Sequence, residues 1–169
     1  MSTVIVAGGA GYIGSHTTRA LQKAGFNPVV IDNLVYGHRH LIEDVLEADL
    51  VVGEIGDKDL IISLLSGNHD LTKGKEIVGI LHFAAYTYVG ESVSDPAKYY
   101  RNNLADTIVM LEAIIEISKA RNITPIPIVF SSTCATYGIP TEKDIPINEN
   151  LSQSPINPYG HSKLMIEQI

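Results

Sequence analysis

The sequence predicts an α/β fold built on a doubly wound parallel sheet. Short apolar runs alternate with segments of helical periodicity along most of the 169 residues. These runs are nearly continuous in Val, Ile and Leu, which is typical of strands buried on both faces. A glycine-rich turn follows the first run directly, and right-handed crossovers would place helices on both sides of the sheet.

Five runs are predicted to form strands: Thr3–Ala7, Pro28–Ile31, Leu50–Val52, Ile77–Phe83 and Pro127–Ser131. Three segments carry apolar residues at i, i+3 and i+4 and are predicted to form helices: Tyr12–Ala24, Lys58–Leu65 and Pro96–Arg121. Asp95 is placed to cap the last of these, and Pro96 suits its first turn. Residues 138–158 are rich in Pro and Asn and are predicted to form a loop, while Tyr159 opens a further helix.

Composition excludes several classes of protein. A net charge of −7 and the lack of a Lys/Arg stripe argue against nucleic-acid binding. No apolar run reaches the length of a membrane span, and the N-terminus lacks the pattern of a signal peptide. Cys134 is the only cysteine, so we expect a cytoplasmic protein without an intrachain disulfide.

Neither histidine nor cysteine indicates a special site. His38 and His40 lie in a polar stretch without a cluster of further ligands, so no metal site is predicted. Cys134 is placed in the stretch 129–138 with which the fifth predicted strand ends, and it has no flanking histidine in sequence. We therefore expect a buried, inert thiol rather than a nucleophile.

The turn after the first strand has the sequence GGAGYIG, with glycines at positions 8, 11 and 14. In such a turn Gly8 permits a tight bend, Gly11 lets a pyrophosphate approach the backbone, and Gly14 brings helix and strand together. The N–H groups at the start of the following helix can bind the phosphates. This pattern at the first strand-to-helix turn indicates a Rossmann-type, dinucleotide-binding domain.

Asp32 follows at the end of the second strand. A carboxylate at this place accepts hydrogen bonds from the adenine ribose and repels a 2′-phosphate, so NAD is favoured over NADP. Arg39 lies nearby in sequence and would weaken that preference.

The chemistry of hydride exchange points to a second group of residues. Ser131, Ser132 and Thr133 are placed where the fifth strand should emerge towards a cofactor. Tyr159 and Lys163 are four residues apart and share one helix face. A free phenol, with a pKa near ~10, is a poor base at neutral pH, and a nearby cation stabilises its phenolate. Such a pair suits an alcohol oxidation by a nicotinamide cofactor.

The order of motifs resembles the extended short-chain dehydrogenase/reductase superfamily, and in particular the UDP-glucose 4-epimerase family within the NAD-dependent epimerase/dehydratases. The resemblance rests on these stretches: GGAGYIG, DNL (32–34), HFAA (82–85), VGES (89–92), YYRNN (99–103), SSTCATYG (131–138) and NPYGHSK (157–163). It extends over residues 3–169.

The resemblance implies epimerisation at C4 of a UDP-sugar, through a keto-sugar that takes its hydride back on the other face. Tyr159 would be the base, Lys163 would stabilise its phenolate and hold the nicotinamide ribose, and Thr133 would bridge the hydroxyl proton. The implied NAD contacts are Gly8, Gly11, Tyr12, Ile13, Gly14, Asp32, Asn33, Glu54, Ile55, Phe83, Ala84, Lys163 and one of Asn102 or Asn103. A homodimer through helix 96–121 is also implied.

The chain departs from the family pattern in four respects. Thr133 replaces a more usual Ser, Glu54 replaces an Asp, and Thr87 stands where many relatives carry a Lys. Family members also continue further, so we expect residues 1–169 to form a partial NAD-binding domain without the last sheet strands and the sugar-nucleotide domain.

Two alternatives remain open. One is a different reaction on the same scaffold, such as another epimerisation, a 4,6-dehydration or a decarboxylation. A dehydratase would need an acidic pair beside the hydroxyl groups at the end of the fifth strand, where this chain has Thr133 and Cys134. The other alternative is a non-catalytic, NAD-binding fragment that associates with another chain.

Overall fold

Five parallel strands form one sheet in a computed structural model that describes residues 1–169. They are β1 (Thr3–Ala7), β2 (Asn27–Asp32), β3 (Asp49–Val52), β4 (Ile77–His82) and β5 (Ile128–Phe130). Their order is β3-β2-β1-β4-β5, with β1 paired to β2 on one side and to β4 on the other. The predicted fold class, a doubly wound parallel sheet, is confirmed.

Six α-helices accompany the sheet: α1 (Tyr12–Lys23), α2 (Lys58–Ser66), α3 (Val89–Ser94), α4 (Pro96–Tyr99), α5 (Asp106–Arg121) and α6 (Pro158–Glu167). Wider, π-helical turns cover Leu41–Val45 and Tyr100–Ala105, and short 3-10 turns cover Cys134–Tyr137 and Glu142–Asp144. No helix combines the length and the apolar character that a membrane span requires.

The chain divides into two compact units. The sheet unit comprises Met1–Ala84 and Ile108–Ser131, and the helical unit comprises Ala85–Thr107 and Ser132–Ile169. This division into compact units does not test whether residues 1–169 form one NAD-binding domain, so that assignment stays a prediction.

In the sheet unit, alternate residues of each strand face opposite sides. Ile5, Val29 and Ile31 pack in one apolar cluster with residues of α2 and α5, such as Leu64 and Ile114. Val6, Val30 and Ile42 pack in a second cluster on the other side, against which Leu21 of α1 lies. Burial on both faces explains why the strand sequences lack polar alternation. Each fully buried side chain of this kind contributes about 1.5–3 kcal/mol.

The predicted helix Pro96–Arg121 is confirmed in its bounds, but it is not one regular α-helix. Asp95 does cap its start, because its side chain accepts a hydrogen bond from the Lys98 N–H. After Tyr99, however, a π-helical turn inserts before α5 begins at Asp106. The helix Val89–Ser94 was not predicted, and its sequence, with Gly90 and two valines, has low intrinsic helix propensity.

Candidate active site

The glycine turn of the sheet unit has the conformation that its spacing predicts. Gly8 has a φ of +77°, and a Cβ there would lie 2.4 Å from the backbone nitrogen of Ala84. A Cβ on Gly14 would lie 2.2 Å from the carbonyl oxygen of Gly8, so α1 can approach the turn only because this residue is glycine. Gly11 is different, because the nearest atom to a Cβ would be 3.5 Å away. Its backbone is open for a ligand to approach.

Asp32 is buried beside this turn. Its Oδ2 accepts a hydrogen bond of 3.0 Å from the Ala10 N–H, and its Oδ1 accepts one of 2.9 Å from the Leu34 N–H. The carboxylate therefore fixes the turn as well as offering its remaining lone pairs to a ligand. Sequence reasoning missed Gly37, where a Cβ would lie 2.5 Å from Asp32 Oδ1. Only a glycine lets the chain pass so close to the carboxylate.

Arg39, which was expected to weaken the preference for NAD, is engaged elsewhere. Its guanidinium forms an exposed ion pair of 2.5 Å with Glu43, one helical turn further on. An exposed pair of this kind is weak, so it orients Arg39 without holding it firmly.

The other predicted cofactor residues of the sheet unit differ in what they present. Tyr12 and Ile13 are exposed at the start of α1, and Asn33 accepts a hydrogen bond from the Val35 N–H. Phe83 and Ala84 form the backbone against which Gly8 packs. Glu54 is exposed, whereas the Ile55 side chain belongs to the apolar core. Ile55 can therefore contact a ligand only through its main chain.

In the helical unit, helix α6 carries Tyr159 and Lys163. Asn157 caps it by accepting a hydrogen bond of 2.8 Å from the Gly160 N–H, and Pro158 occupies the first turn. Tyr159 is 9% exposed and Lys163 is 2% exposed. Burial lowers the pKa of Lys163 to about 8, because the interior disfavours the ammonium form.

Thr133 begins the 3-10 turn Cys134–Tyr137, and its Oγ1 accepts a hydrogen bond of 3.2 Å from the Ala135 N–H. This turn packs closely on α6, since a Cβ on Gly160 would lie 2.6 Å from the Ala135 carbonyl oxygen. Thr133, Tyr159 and Lys163 are thus brought into the same unit. A glycine directly after Tyr159 was the sequence signal for this close approach, and it was missed.

The prediction for Cys134 is wrong in two ways. The thiol is exposed, and it lies beyond β5, which ends at Phe130. The chain leaves the strand earlier than predicted, because Thr133 caps a helical turn that turns Cys134 outwards. Of its neighbours, Ser131 donates its N–H to the His82 carbonyl, and the Ser132 hydroxyl donates to Glu167 on α6.

Asn102 and Asn103 both lie in the π-helical turn, but their surroundings differ. Asn103 is buried, and its amide binds both the N–H and the carbonyl of Tyr86 and the hydroxyl of Ser162 on α6. It also accepts a hydrogen bond from the Asn102 amide. Asn103 is therefore committed to the protein, and Asn102, which is half-buried, is the one of the two with capacity for a ligand.

Three residues that were not assigned a role, Tyr99, Glu91 and Lys98, form a polar cluster that meets Tyr159 through the Tyr99 ring. The ring of Tyr99 meets that of Tyr159 edge to face, and Glu91 and Lys98 bind one another beside Tyr99. No group of three or more His, Cys, Asp or Glu side chains converges as metal ligands do. The rings of His38 and His40 lie 5.9 Å apart without a third ligand.

Comparison with known proteins extends this picture. A family model described as the NAD dependent epimerase/dehydratase family matches residues 4–169. The UDP-glucose 4-epimerase of Lacticaseibacillus casei is 44% identical over 167 residues, a match that covers 99% of this chain and 45% of that protein. The chain thus spans about half the length of the curated relatives that it matches.

Solved structures of UDP-glucose 4-epimerases are also similar to this chain. A UDP-glucose 4-epimerase from Brucella ovis in complex with NAD superposes with a TM-score of 0.83 at 43% identity, covering 99% of this chain and 46% of that one. One from Stenotrophomonas maltophila, with bound NAD and formylated UDP-arabinopyranose, gives a TM-score of 0.84 at 32% identity, covering 99% and 47%. The predicted cofactor, NAD, is the cofactor of the family.

Proposed function

This chain belongs to the NAD dependent epimerase/dehydratase family, and we propose that it epimerises a UDP-sugar at C4. The proposed substrates are UDP-glucose and UDP-galactose, interconverted by an isomerase reaction of galactose metabolism. The observation that carries the proposal is the burial of Tyr159 and Lys163 four residues apart on one helix. Lys163 is 2% exposed, and burying its ammonium costs free energy of folding. A role in proton transfer with Tyr159 explains why a lysine occupies this buried position.

The proposed chemistry assigns a separate task to each side chain. Oxidation of the sugar alcohol removes a proton from O4 and a hydride from C4. Tyr159, as a phenolate that the Lys163 ammonium stabilises, takes the proton to become a neutral phenol and later returns it to O4. The Thr133 hydroxyl passes the proton between sugar and phenol. Bound NAD would accept the hydride from C4 of the sugar and return it to the same carbon.

The residues of the sheet unit fit the proposed cofactor. The open backbone at Gly11 and the N–H groups at the start of α1 would hold the pyrophosphate, and Asp32 would bind the adenine ribose. Gly8 and Gly14 set the shape of the turn and, with Lys163, stay among the proposed NAD contacts. The remaining proposed contacts are Tyr12, Ile13, Asn33, Glu54, the main chain of Ile55, Phe83, Ala84 and Asn102.

Two further proposals concern partners and place. Ile108 and Ile115 are 38% and 47% exposed and lie seven residues apart on α5, which gives an apolar stripe suited to a homodimer. The exposed thiol of Cys134 suits a reducing compartment, and we place the protein in the cytoplasm.

The direct test is to incubate the purified chain with NAD and UDP-glucose and to assay for UDP-galactose. Formation of UDP-galactose supports the proposal. A panel with UDP-arabinopyranose and N-acetylated UDP-sugars then defines the sugar, because the relatives include a probable UDP-arabinose 4-epimerase and a UDP-N-acetylglucosamine 4-epimerase.

The second candidate is an NAD-binding fragment that acts only together with another chain. NAD binding without turnover by the isolated chain would support this candidate, and turnover by the chain alone would exclude it.

A further inference from the structure

Two motifs of the sequence, VGES (89–92) and YYRNN (99–103), meet at the buried phenol of Tyr99. Tyr99 is 0% exposed and is the largest fully buried side chain of the protein. Its hydroxyl lies 2.8 Å from Glu91 Oε2 and 2.7 Å from the carbonyl oxygen of Tyr88. A phenol has one proton to donate, so these two acceptors share it and fix the position of the hydroxyl.

The second oxygen of Glu91 is held as well. Glu91 Oε1 pairs with Lys98 Nζ at 2.6 Å, and the same ammonium lies 4.4 Å from the centre of the Tyr86 ring. Tyr86 in turn packs against Tyr99, with ring centres 6.0 Å apart. Both oxygens of Glu91 are thus bound, which leaves the carboxylate one orientation.

The protonation of this cluster is well defined. The hydrogen bonds from Lys98 and Tyr99 lower the pKa of Glu91, so it is a carboxylate at neutral pH. Burial and the Glu91 carboxylate raise the pKa of Tyr99, so its phenol stays neutral. Tyr99 is therefore a hydrogen-bond donor and does not compete with Tyr159 as a base.

Tyr99 also contacts the proposed base. The centres of the Tyr99 and Tyr159 rings are 6.5 Å apart, and the ring planes meet at 81°. This is the edge-to-face arrangement that aromatic rings prefer. The contact restricts the side-chain torsions of Tyr159, whose phenol oxygen lies at the far end of the ring.

We propose that Tyr99, held by Glu91, is a positioning residue that fixes the ring of Tyr159 for proton transfer. The proposal rests on the proposed function, because it gives Tyr159 the role of base. Neither Tyr99 nor Glu91 is given a contact with substrate or cofactor. The two motifs then have a common purpose, which is to set the orientation of one phenol.

The test is fluorine NMR of the full chain labelled with 3-fluorotyrosine. Loss of one resonance in Tyr159→Phe identifies the Tyr159 signal. In Tyr99→Leu we expect that signal to move and to split or broaden, because the ring populates further orientations. Tyr100→Leu is the matched control: it removes the neighbouring, half-buried tyrosine and should leave a single narrow Tyr159 line. An unchanged Tyr159 line in Tyr99→Leu would overturn the proposal.

Conservative variants keep the test decisive if Tyr99→Leu does not fold. Tyr99→Phe keeps the ring and removes the hydrogen bond, and Glu91→Gln keeps an acceptor and removes the charge. We expect a smaller displacement of the Tyr159 line in both, with Glu91→Gln nearer to wild type. Lines identical to wild type in both variants would again contradict the role of Tyr99.

Turnover gives a second readout. The positioning role predicts a kcat about two- to tenfold lower in Tyr99→Leu with unchanged NAD affinity. If the wild-type chain does not turn over at all, the proposed function fails, while the NMR result still decides whether Tyr99 orients Tyr159. The two failures are therefore distinguishable.

Discussion

The sheet unit and the helical unit present their functional groups in different ways. In the sheet unit, the apolar core is built from strands, and the proposed cofactor-binding groups are backbone atoms around Gly8, Gly11 and Gly14 together with one carboxylate, Asp32. In the helical unit, the proposed chemistry lies on the side chains of Thr133, Tyr159 and Lys163. Nearby polar side chains are held by hydrogen bonds, such as those of Tyr99 to Glu91 and of Asn103 to Ser162. The first depends on the shape of the main chain, and the second depends on side-chain contacts. Substitutions should therefore act differently in the two units.

The largest effect is expected from removal of the Tyr159 hydroxyl. Tyr159→Phe keeps the ring and its packing against Tyr99, so folding should be unchanged. Without a group that takes the proton, conversion of UDP-glucose should fall by about 10²–10⁴-fold. Steady-state assay of UDP-galactose formation measures this, with circular dichroism as the check on folding. Wild-type turnover in the variant would refute the role of Tyr159.

In the sheet unit, the largest effect is expected at Gly14. An alanine there places a methyl carbon 2.2 Å from the Gly8 carbonyl oxygen and 2.6 Å from the Gly9 Cα, both of which are backbone atoms that cannot turn away. We expect the free energy of unfolding to fall by about 3 kcal/mol or more. Urea denaturation measures the change, and Gly11→Ala is the control that should leave stability unaltered.

The pH dependence of stability reports on Lys163. Its pKa is lowered from 10.5 to about 8 in the folded chain, so between these values the unfolded chain binds more protons and stability rises with pH. Below pH 8 the folded chain carries the full cost of a buried ammonium. At pH 7 Lys163→Met should therefore stabilise the cofactor-free chain by up to about 3 kcal/mol, and this gain should shrink by pH 10.

Lys58 of the sheet unit provides a control of opposite sign. A hydrogen bond and ion pairs with Glu116 and Glu112 raise its pKa. Its contribution to stability is present below the unfolded pKa and is lost as the pH rises through the folded one. Lys58→Met should slightly destabilise the chain at pH 7. If both lysine variants changed stability in the same direction, the burial argument for Lys163 would be wrong.

The smallest expected effects come from two helix caps, one in each unit. Asn157 caps α6 through the Gly160 N–H, and Asp57 caps α2 through the Leu60 N–H. Replacing either with Ala should cost about 1 kcal/mol in urea denaturation. Only Asn157→Ala should also displace the fluorine resonance of Tyr159, since only α6 carries that residue. If both variants displaced the Tyr159 resonance equally, the cap of α6 would have no specific effect on Tyr159.

The parts of the fold that sequence predicts well are those where residue type leaves little choice. The run Thr3–Ala7 has the same bounds in sequence and structure, because a strand buried on both faces must be apolar throughout. The glycine turn was predicted from spacing, and the structure supplies the reason at Gly8 and Gly14, where a side chain would collide with backbone. Local chemistry decides both features.

The parts that sequence does not predict depend on distant partners. Asn102 and Asn103 are identical in type, and only the π-helical turn makes Asn103 face Tyr86 and Ser162. The exposure of Cys134 depends on where the chain leaves β5. The hydrogen bond from the Ala135 N–H to Thr133 Oγ1 starts the helical turn at that point. Glu91 and Tyr99 are eight residues apart in sequence, and no periodicity marks their hydrogen bond. Contacts of this kind require the folded chain.

The division between the two units is tested most directly by titrating NAD into wild type, Gly11→Ala and Tyr159→Phe by calorimetry. Gly11 has a φ of −80°, which alanine also adopts, so its methyl group should obstruct the pyrophosphate without disturbing the fold. We expect NAD binding to be at least about tenfold weaker in Gly11→Ala and unchanged in Tyr159→Phe. Unchanged affinity in Gly11→Ala, or an equal loss in both variants, would contradict this expectation.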